Sequence, residues 1–305
     1  MNIYTLTLSP AYDIHAYTEA LIPFHEHLAE IRLRDAGGKG VNISRALNAA
    51  GVENTALVAL GSENSADFRT ALGGMNCVFF EVPGRIRENL TLHTADGRET
   101  RISFSGFSCD DSLLNFCSEQ IHTESDTVVT LTGRVPDGIS MDSVISFLLS
   151  QKESGAKLVI DSRSFTLDDL YRVKPWLIKP NQEEISAYLG REISTQKQAV
   201  DAAQFLVAQG IEHVMISLGS DGAILCHGKD AWIATPPCIS VSSTIGAGDS
   251  SIAGFLAASD ADPETRLKTA VAFGSAACMT AGSNPPEKEQ IEQLLQNVHV
   301  KRMDF

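Results

Sequence analysis

No stretch of the chain approaches the roughly 18 consecutive apolar residues that a membrane-spanning helix needs, so no membrane partner is expected. Paired cysteines are missing as well. Cys77, Cys109, Cys117, Cys226, Cys238 and Cys278 include no C-x-x-C pair and stand at no zinc-finger spacing from a histidine. They read as reduced core or surface residues rather than as a disulfide framework or metal site. Positive charge is scarce: 24 Lys and Arg face 38 Asp and Glu, a formal net charge of −14. With no basic stripe to neutralise a phosphate backbone, no nucleic-acid partner is expected. Nor does a basic n-region or cleavage pattern precede Ile3-Tyr4-Thr5-Leu6-Thr7-Leu8, and the expected location is the cytoplasm. Internal repeats, low-complexity tracts and linkers are also lacking.

What remains is an ordinary globular composition, 43% hydrophobic over 305 residues, enough for one large α/β domain with or without a small appendage. Strand-length apolar segments at Asn2–Leu8, Ala56–Leu60, Thr127–Leu131, Lys157–Asp161, Trp176–Ile178 and His213–Ser217 alternate with segments of helical period. Those are Val41–Ala50, Ala66–Leu72, Asp111–Gln120, Met141–Gln151, Gln182–Tyr188 and Gln196–Gln209. Such alternation predicts a parallel sheet covered on both faces. Helical patterns at Ser250–Ala258, Pro263–Thr280 and Glu287–Asn297 close the chain. Ala11–Arg34 and Arg85–Phe104 break the rhythm; in the second, Asp96-Gly97 separates two alternating runs and predicts a β-hairpin. Two such excursions from one sheet edge predict a small second sheet, serving as a lid or a pairing surface.

In a chain this acidic, a cation beside a glycine-rich turn carries weight, because a phosphorylated ligand must be held against the protein's own field. Asp35-Ala36-Gly37-Gly38-Lys39-Gly40-Val41-Asn42 offers such a turn at a helix start. It is not a Walker A loop, since Leu33 and Gly40 stand where that motif needs Gly and Ser/Thr. The other reading is a plain connecting turn. Ser243-Thr244-Ile245-Gly246-Ala247-Gly248-Asp249-Ser250 is a second turn of this kind. There Asp249 reads either as a helix N-cap or as a base that deprotonates a hydroxyl attacking a phosphoryl group.

Asp13 follows the first strand, where an α/β sheet places its ligand crevice. Arg85-Ile86-Arg87-Glu88-Asn89 offers guanidinium groups, for a phosphate or for a solvated lid edge. In Lys179-Pro180-Asn181-Gln182-Glu183-Glu184, Asn181 and Glu184 share one side of a first helical turn. Their oxygens suit Mg²⁺ held partly through water, or equally a capping box. Ser217-Leu218-Gly219-Ser220-Asp221-Gly222-Ala223 is a two-glycine turn, either a nucleotide contact or a simple hairpin.

In order and spacing, these motifs together resemble the PfkB/ribokinase family of carbohydrate kinases over almost the whole chain. The first family signature is similar to Gly37–Asn42 and the second to Ser243–Gly254. Thr5-Leu6-Thr7-Leu8-Ser9-Pro10-Ala11-Tyr12-Asp13, Ile86–Leu90 and Ser105-Gly106-Phe107 look like the hexose-phosphate branch of 1-phosphofructokinases and tagatose-6-phosphate kinases. The resemblance implies a ribokinase-like three-layer αβα fold with a mostly parallel sheet. It further implies one kinase domain over 1–305, with a β lid from about 12–34 and 85–105, and a homodimer formed through that lid.

It also implies roles for the residues. Asp249 would be the general base, with Gly246, Ala247 and Gly248 as the anion hole. Asp13, Gly38, Lys39, Asn42 and Arg87 would bind a sugar phosphate. Lys179, Asn181, Ser217, Gly219 and Gly222 would line the ATP site, and Asn181 and Glu184 would position Mg²⁺. The departures from the family pattern are Arg134, which stands where relatives carry Ser, and His25-Glu26-His27 in place of a lid Lys or Arg. Arg134 reads as an added phosphate ligand or as the mark of a different sugar. The expected reaction is ATP-dependent phosphorylation of fructose 1-phosphate at its 6-hydroxyl, with tagatose 6-phosphate or fructose 6-phosphate as alternative substrates. A sugar-phosphate-binding protein of kinase fold without catalysis, and a nucleoside or vitamin kinase, are the other classes weighed.

Overall fold

The computed structural model describes residues 1–124, 126–282 and 284–303. The chain opens with β1 (Asn2–Thr7), β2 (Ala11–Thr18), β3 (Glu30–Gly37), α1 (Lys39–Ala49), β4 (Thr55–Gly61), α2 (Ser65–Ala71) and β5 (Cys77–Val82). It continues through β6 (Arg87–Thr94), β7 (Glu99–Ser103), α3 (Ser112–Gln120), β8 (Thr127–Thr132), α4 (Met141–Glu153) and β9 (Lys157–Asp161). Then come α5 (Leu167–Val173), β10 (Leu177–Ile178), α6 (Gln182–Leu189), α7 (Gln196–Ala208), β11 (His213–Ser217) and β12 (Ala223–His227). The last elements are β13 (Asp230–Thr235), α8 (Ala247–Ala257), α9 (Pro263–Cys278), α10 (Lys288–Asn297) and β14 (His299–Arg302).

Ten strands make one sheet in the order β14-β13-β12-β11-β10-β9-β8-β1-β4-β5. From β11 to β5 every pairing is parallel; the β12, β13 and β14 edge is antiparallel. Alternate side chains leave the two faces, and the core divides accordingly. Leu6, Val129, Leu131 and Ile160 pack with Leu113, Val144, Leu148 and Leu206 of the α3–α7 layer. Ile3, Val128, Val159 and Met215 pack with Ile43, Leu47, Ile252, Phe255 and Leu267 of α1, α8 and α9. The result is the expected helix–sheet–helix sandwich. Each fully buried Leu, Ile or Phe contributes about 1.5–3 kcal/mol.

The two irregular excursions form a four-stranded sheet, β3-β2-β6-β7, with the expected hairpin pairing His93 to Glu99 and Asn89 to Ser103. Its Tyr12 and Ile14 pack on Phe68 of α2 and on Leu72, the residue that follows that helix, which anchors the lid to the body. Four elements were not read from sequence: β5, α5, β13 and the C-terminal β14. β14 is mostly exposed and carries no clear apolar signal, whereas β5 (Cys77–Val82) and β13 (Asp230–Thr235) are short apolar runs that the reading passed over. α5 is a seven-residue helix, too short for periodicity to register, and is fixed by a Thr166–Asp169 capping box.

His213, at the edge far from the strands' carboxyl ends, is buried and donates from Nδ1 to Trp176 O, while Arg266 donates to its Nε2. Burial, reinforced by His227 and Arg266, pushes its pKa down to about 3. A histidine with a depressed folded-state pKa stabilises fully above its unfolded value and loses that contribution as pH falls from 6.5 toward 3. The expected slope is at most about 1.4 kcal/mol per pH unit. Melting temperatures measured from neutral to mildly acid pH should therefore fall more steeply in the wild type than in His213→Phe. Parallel curves would contradict this.

Candidate active site

The site candidates gather at the carboxyl ends of the parallel strands, on the lid strands or helix starts that lead from them, and at the start of α8, which follows the antiparallel-paired β13. This is the edge where open α/β sheets hold ligands. β1 leads to Asp13 and the start of α1, β8 to Arg134, β9 ends on Asp161, β10 leads to Lys179 and Asn181, and β11 ends on Ser217.

At the centre, α8 starts from Gly246, an N-cap with φ of 78°, a left-handed conformation that suits glycine. Ala247, Gly248 and Asp249 are the first three helical residues, so their N–H groups lack partners within the helix. The N-cap reading of Asp249 is not realised: the cap is Gly246, and no side chain caps the helix. Asp249 is instead buried and accepts a hydrogen bond from Asn42 Nδ2 at 2.8 Å, across from the other glycine-rich turn. Burial raises its pKa to about 6; Lys39 and the Asn42 hydrogen bond oppose the rise, and Asp161 adds to it. A carboxylate so placed is ionised at neutral pH yet basic enough to take a proton from a hydroxyl. The Asn42 Oδ1 atom is buried without a hydrogen-bond partner, as is the Thr7 Oγ1 atom beneath the turn. Gly40 is required there, because a Cβ would sit 2.4 Å from that hydroxyl.

On one side of the turn opens a cleft of about 700 Å³. Its walls include Lys179, Asn181, Ser217, Gly219 and Gly222, with Ala247 and Gly248 of the turn. The five residues assigned to nucleotide from sequence thus share one cavity with the anion turn. The β11–β12 segment is the hairpin of the simpler reading, and its Gly219 and Gly222 also line this cleft. Met215, Ala223, Ile239, Ala270 and Val271 give the cleft an apolar stretch beside polar Gln182, Glu183, Thr244 and Ser275, chemistry that suits a planar base with polar edges.

On the other side stand Asp13, Lys39, Arg87 and Arg134. Arg87 donates to Asn89 Oδ1 at 3.1 Å, and Asn89 donates to Asp13 Oδ1 at 2.9 Å, fixing a cation and a carboxylate in one frame. Burial raises the Asp13 pKa above its usual value, against the Asn89 hydrogen bond and the Arg87 charge. Arg87 is lowered by burial, held up by Asp13, and lowered again by Arg134, so the two guanidinium groups feel each other. Arg134 pairs with exposed Asp137 at 2.9 Å. Lys39 occupies the first position of α1, where the helix dipole disfavours a cation, next to Gly38 as N-cap.

Asn181 and Glu184 form a capping box: Asn181 Oδ1 accepts from the Glu184 N–H, and Glu184 Oε2 from the Asn181 N–H. Arg163 donates to Glu184 Oε1 at 2.9 Å. These oxygens are already engaged, so the pair suits a hydrated Mg²⁺ reached through water rather than a directly ligated ion. The adjoining small cavity, lined by Asp161, Lys179, Glu184 and Tyr188 and about 10 Å³, has room for about one water. Sequence reasoning passed over Asp161, Thr7 and Asn89. For Asp161 a signal existed, a carboxylate closing an apolar parallel strand; Thr7 and Asn89 stand inside the Thr5–Asp13 and Ile86–Leu90 motifs, where they were given no role.

The description pfkB family carbohydrate kinase matches residues 9–290. The chain belongs to that family. Among the relatives of this pfkB chain is a protein named 1-phosphofructokinase from Escherichia coli (strain K12), 32% identical over 279 residues and 89% of each chain. Another of the same name, from Bacillus subtilis (strain 168), is 32% identical over 307 residues, covering 99% of this chain and 100% of that one. Among solved structures, phosphofructokinase-2 from Escherichia coli in complex with substrates and products superposes with a TM-score of 0.88 at 26% identity, covering 97% and 99% of the two chains. The pfkB fold thus accounts for the large sheet, the helical layers and the separate smaller sheet. Among the described residues no helix is long and apolar enough to cross a membrane.

Proposed function

We propose that this pfkB kinase transfers the γ-phosphoryl group of ATP to the 6-hydroxyl of fructose 1-phosphate, as a single kinase domain spanning 1–305. The observation that carries the reading is the position of Asp249, buried next to the Ala247–Gly248 wall of the cleft, hydrogen-bonded to Asn42 of the other glycine-rich turn and within reach of the Lys39 charge. Curated relatives named 1-phosphofructokinase across several bacteria support the substrate. A second reading, fructose 6-phosphate, is supported by a structural neighbour described in complex with that sugar, with a TM-score of 0.84 at 25% identity.

In this mechanism Asp13 and the free Asn42 Oδ1 accept hydrogen bonds from sugar hydroxyls, with Gly38 letting the sugar approach the backbone. Lys39, Arg87 and Arg134 hold the existing phosphate. Asp249 takes the proton of the attacking hydroxyl. The N–H groups of Gly246, Ala247 and Gly248 stabilise the charge on the group in flight, a task of positioning and electrostatics. Lys179, Ser217, Gly219 and Gly222 line the nucleotide. Asn181 and Glu184 would hold Mg²⁺ through water, which would supply positive charge against the phosphates. Thermal-shift screening tests the ligand class. Fructose 1-phosphate is expected to raise the melting temperature, with neutral ribose and adenosine leaving it unchanged; the reverse order would contradict the reading.

The lid also supports pairing with a second copy of the chain, in the cytoplasm. Phe24, Leu28, Ile31, Ile102 and Phe104 are exposed on it, and Phe24 is held out to solvent at φ of 68°. Apolar surface of that extent is rare on a monomer. Sedimentation is expected to give a dimer, and Phe24→Asp with Leu28→Asp a monomer. A monomeric wild type would overturn this.

A further inference from the structure

We propose that Asp161 is a positioning residue that fixes Lys39 and Lys179 in one place beside Asp249, so that one ammonium group is held toward the sugar phosphate and the other toward the Gly246–Gly248 turn. This rests on the phosphoryl-transfer reading above and adds a residue to which that reading gives no role.

Asp161 closes β9 at the ligand edge of the sheet and is only 6% exposed. One of its oxygens, Oδ2, lies 3.0 Å from Lys39 Nζ and 3.6 Å from Lys179 Nζ. These are ion-pair contacts rather than aligned hydrogen bonds, and Lys39 also leans on the Asp161 backbone carbonyl at 3.4 Å. The two lysines come from different halves of the site. Lys39 begins α1 on the sugar side; Lys179 follows β10 and lines the nucleotide cleft. Lys179 reaches the turn itself, since a Cβ on Gly248 would sit 3.0 Å from its Nζ.

Charge counting shows what the carboxylate does. Two carboxylates, Asp161 and the ionised Asp249, meet two ammonium groups here, and it is Asp161 whose Oδ2 lies in ion-pair range of both lysines. Asp161 lets them occupy one buried place where they would otherwise repel. Burial alone would lower Lys39; Asp161 first and Asp249 second outweigh it and keep its pKa above the usual value. Lys39 also sits against the dipole of α1, a cost that only a fixed counter-charge offsets. A carboxylate kept merely for stability would need one cation, not one from each subsite.

A double-mutant cycle tests this on the full chain: wild type, Asp161→Asn, Lys39→Met and the double variant, assayed with ATP, Mg²⁺ and fructose 1-phosphate. Asp161→Asn is expected to lower kcat roughly 100-fold, as a misplaced catalytic frame does, with the KM for ATP within about threefold of wild type. In the Lys39→Met background the same substitution should cost roughly tenfold less, because the lysine through which it acts is gone. Additive losses would overturn the proposal, as would recovery of Asp161→Asn by raised Mg²⁺, which would make Asp161 a metal ligand instead. Activity lost only in proportion to unfolded protein would also overturn it. If Asp161→Asn does not fold, Asp161→Glu runs the same cycle with the charge moved by one methylene. A wild type that turns over no sugar phosphate removes the functional reading and this inference together; an active wild type with additive losses removes only the role of Asp161.

Discussion

Asp249→Asn is expected to lower kcat by roughly 100- to 10,000-fold, the range for loss of a positioned general base. The KM values for both substrates should change little. The amide is nearly isosteric with the carboxylate, and the position makes no helix-capping bond whose loss would unfold α8. Stability should hold or rise, because a buried carboxylate whose pKa is raised to about 6 costs folding energy that a neutral amide avoids. The same pKa predicts the acid limb of the wild-type profile. Below about pH 6 the carboxyl holds its proton and cannot accept another, so kcat should fall toward tenfold per pH unit as pH drops. In Asp249→Asn that limb should vanish along with the activity. Steady-state rates from mildly acid to neutral pH read both effects.

Arg87→Leu is expected to lower kcat/KM for the sugar phosphate by roughly 100- to 10,000-fold, the loss of two charge-assisted hydrogen bonds at about 1.5–3 kcal/mol each. The KM for ATP should not move, because Arg87 belongs to the lid and lines no part of the nucleotide cleft. Arg87 ties into Asn89 and through it to Asp13, so part of the loss is expected from sugar misorientation. Comparing fructose 1-phosphate with unphosphorylated fructose separates the two contributions. A loss confined to the phosphorylated sugar assigns Arg87 to phosphate, whereas equal losses assign it to the lid frame.

The parts of this site legible in sequence were those whose chemistry is written locally. Gly246–Gly248 with Asp249, and Gly38 with Lys39 and Asn42, show small residues, a helix start and a functional group within a few positions. The alternation of β1, β4, β8 and β9 with intervening helices was legible for the same reason, since apolar periodicity is local. Asn181 and Glu184 were legible but ambiguous, and the structure gives them the capping geometry that the simpler reading required. What could not be read was long-range. The contact of Asn42 with Asp249 spans 207 positions, and that of Lys39 with the Asp161 carbonyl spans 122. Asp161 looks like a strand end until β8, β9 and β10 are aligned side by side, and only then do two lysines fall on it. β14 was missed because its four residues alternate weakly and find their partner only by returning to β13.

The most direct test of substrate and chemistry is kcat/KM with Mg-ATP across fructose 1-phosphate, fructose 6-phosphate and tagatose 6-phosphate, with the product's phosphate positions assigned by phosphorus NMR. The account predicts the highest value for fructose 1-phosphate and fructose 1,6-bisphosphate as its product. A higher value for either of the other two sugars, or no ATP-dependent product from any of them, would contradict it.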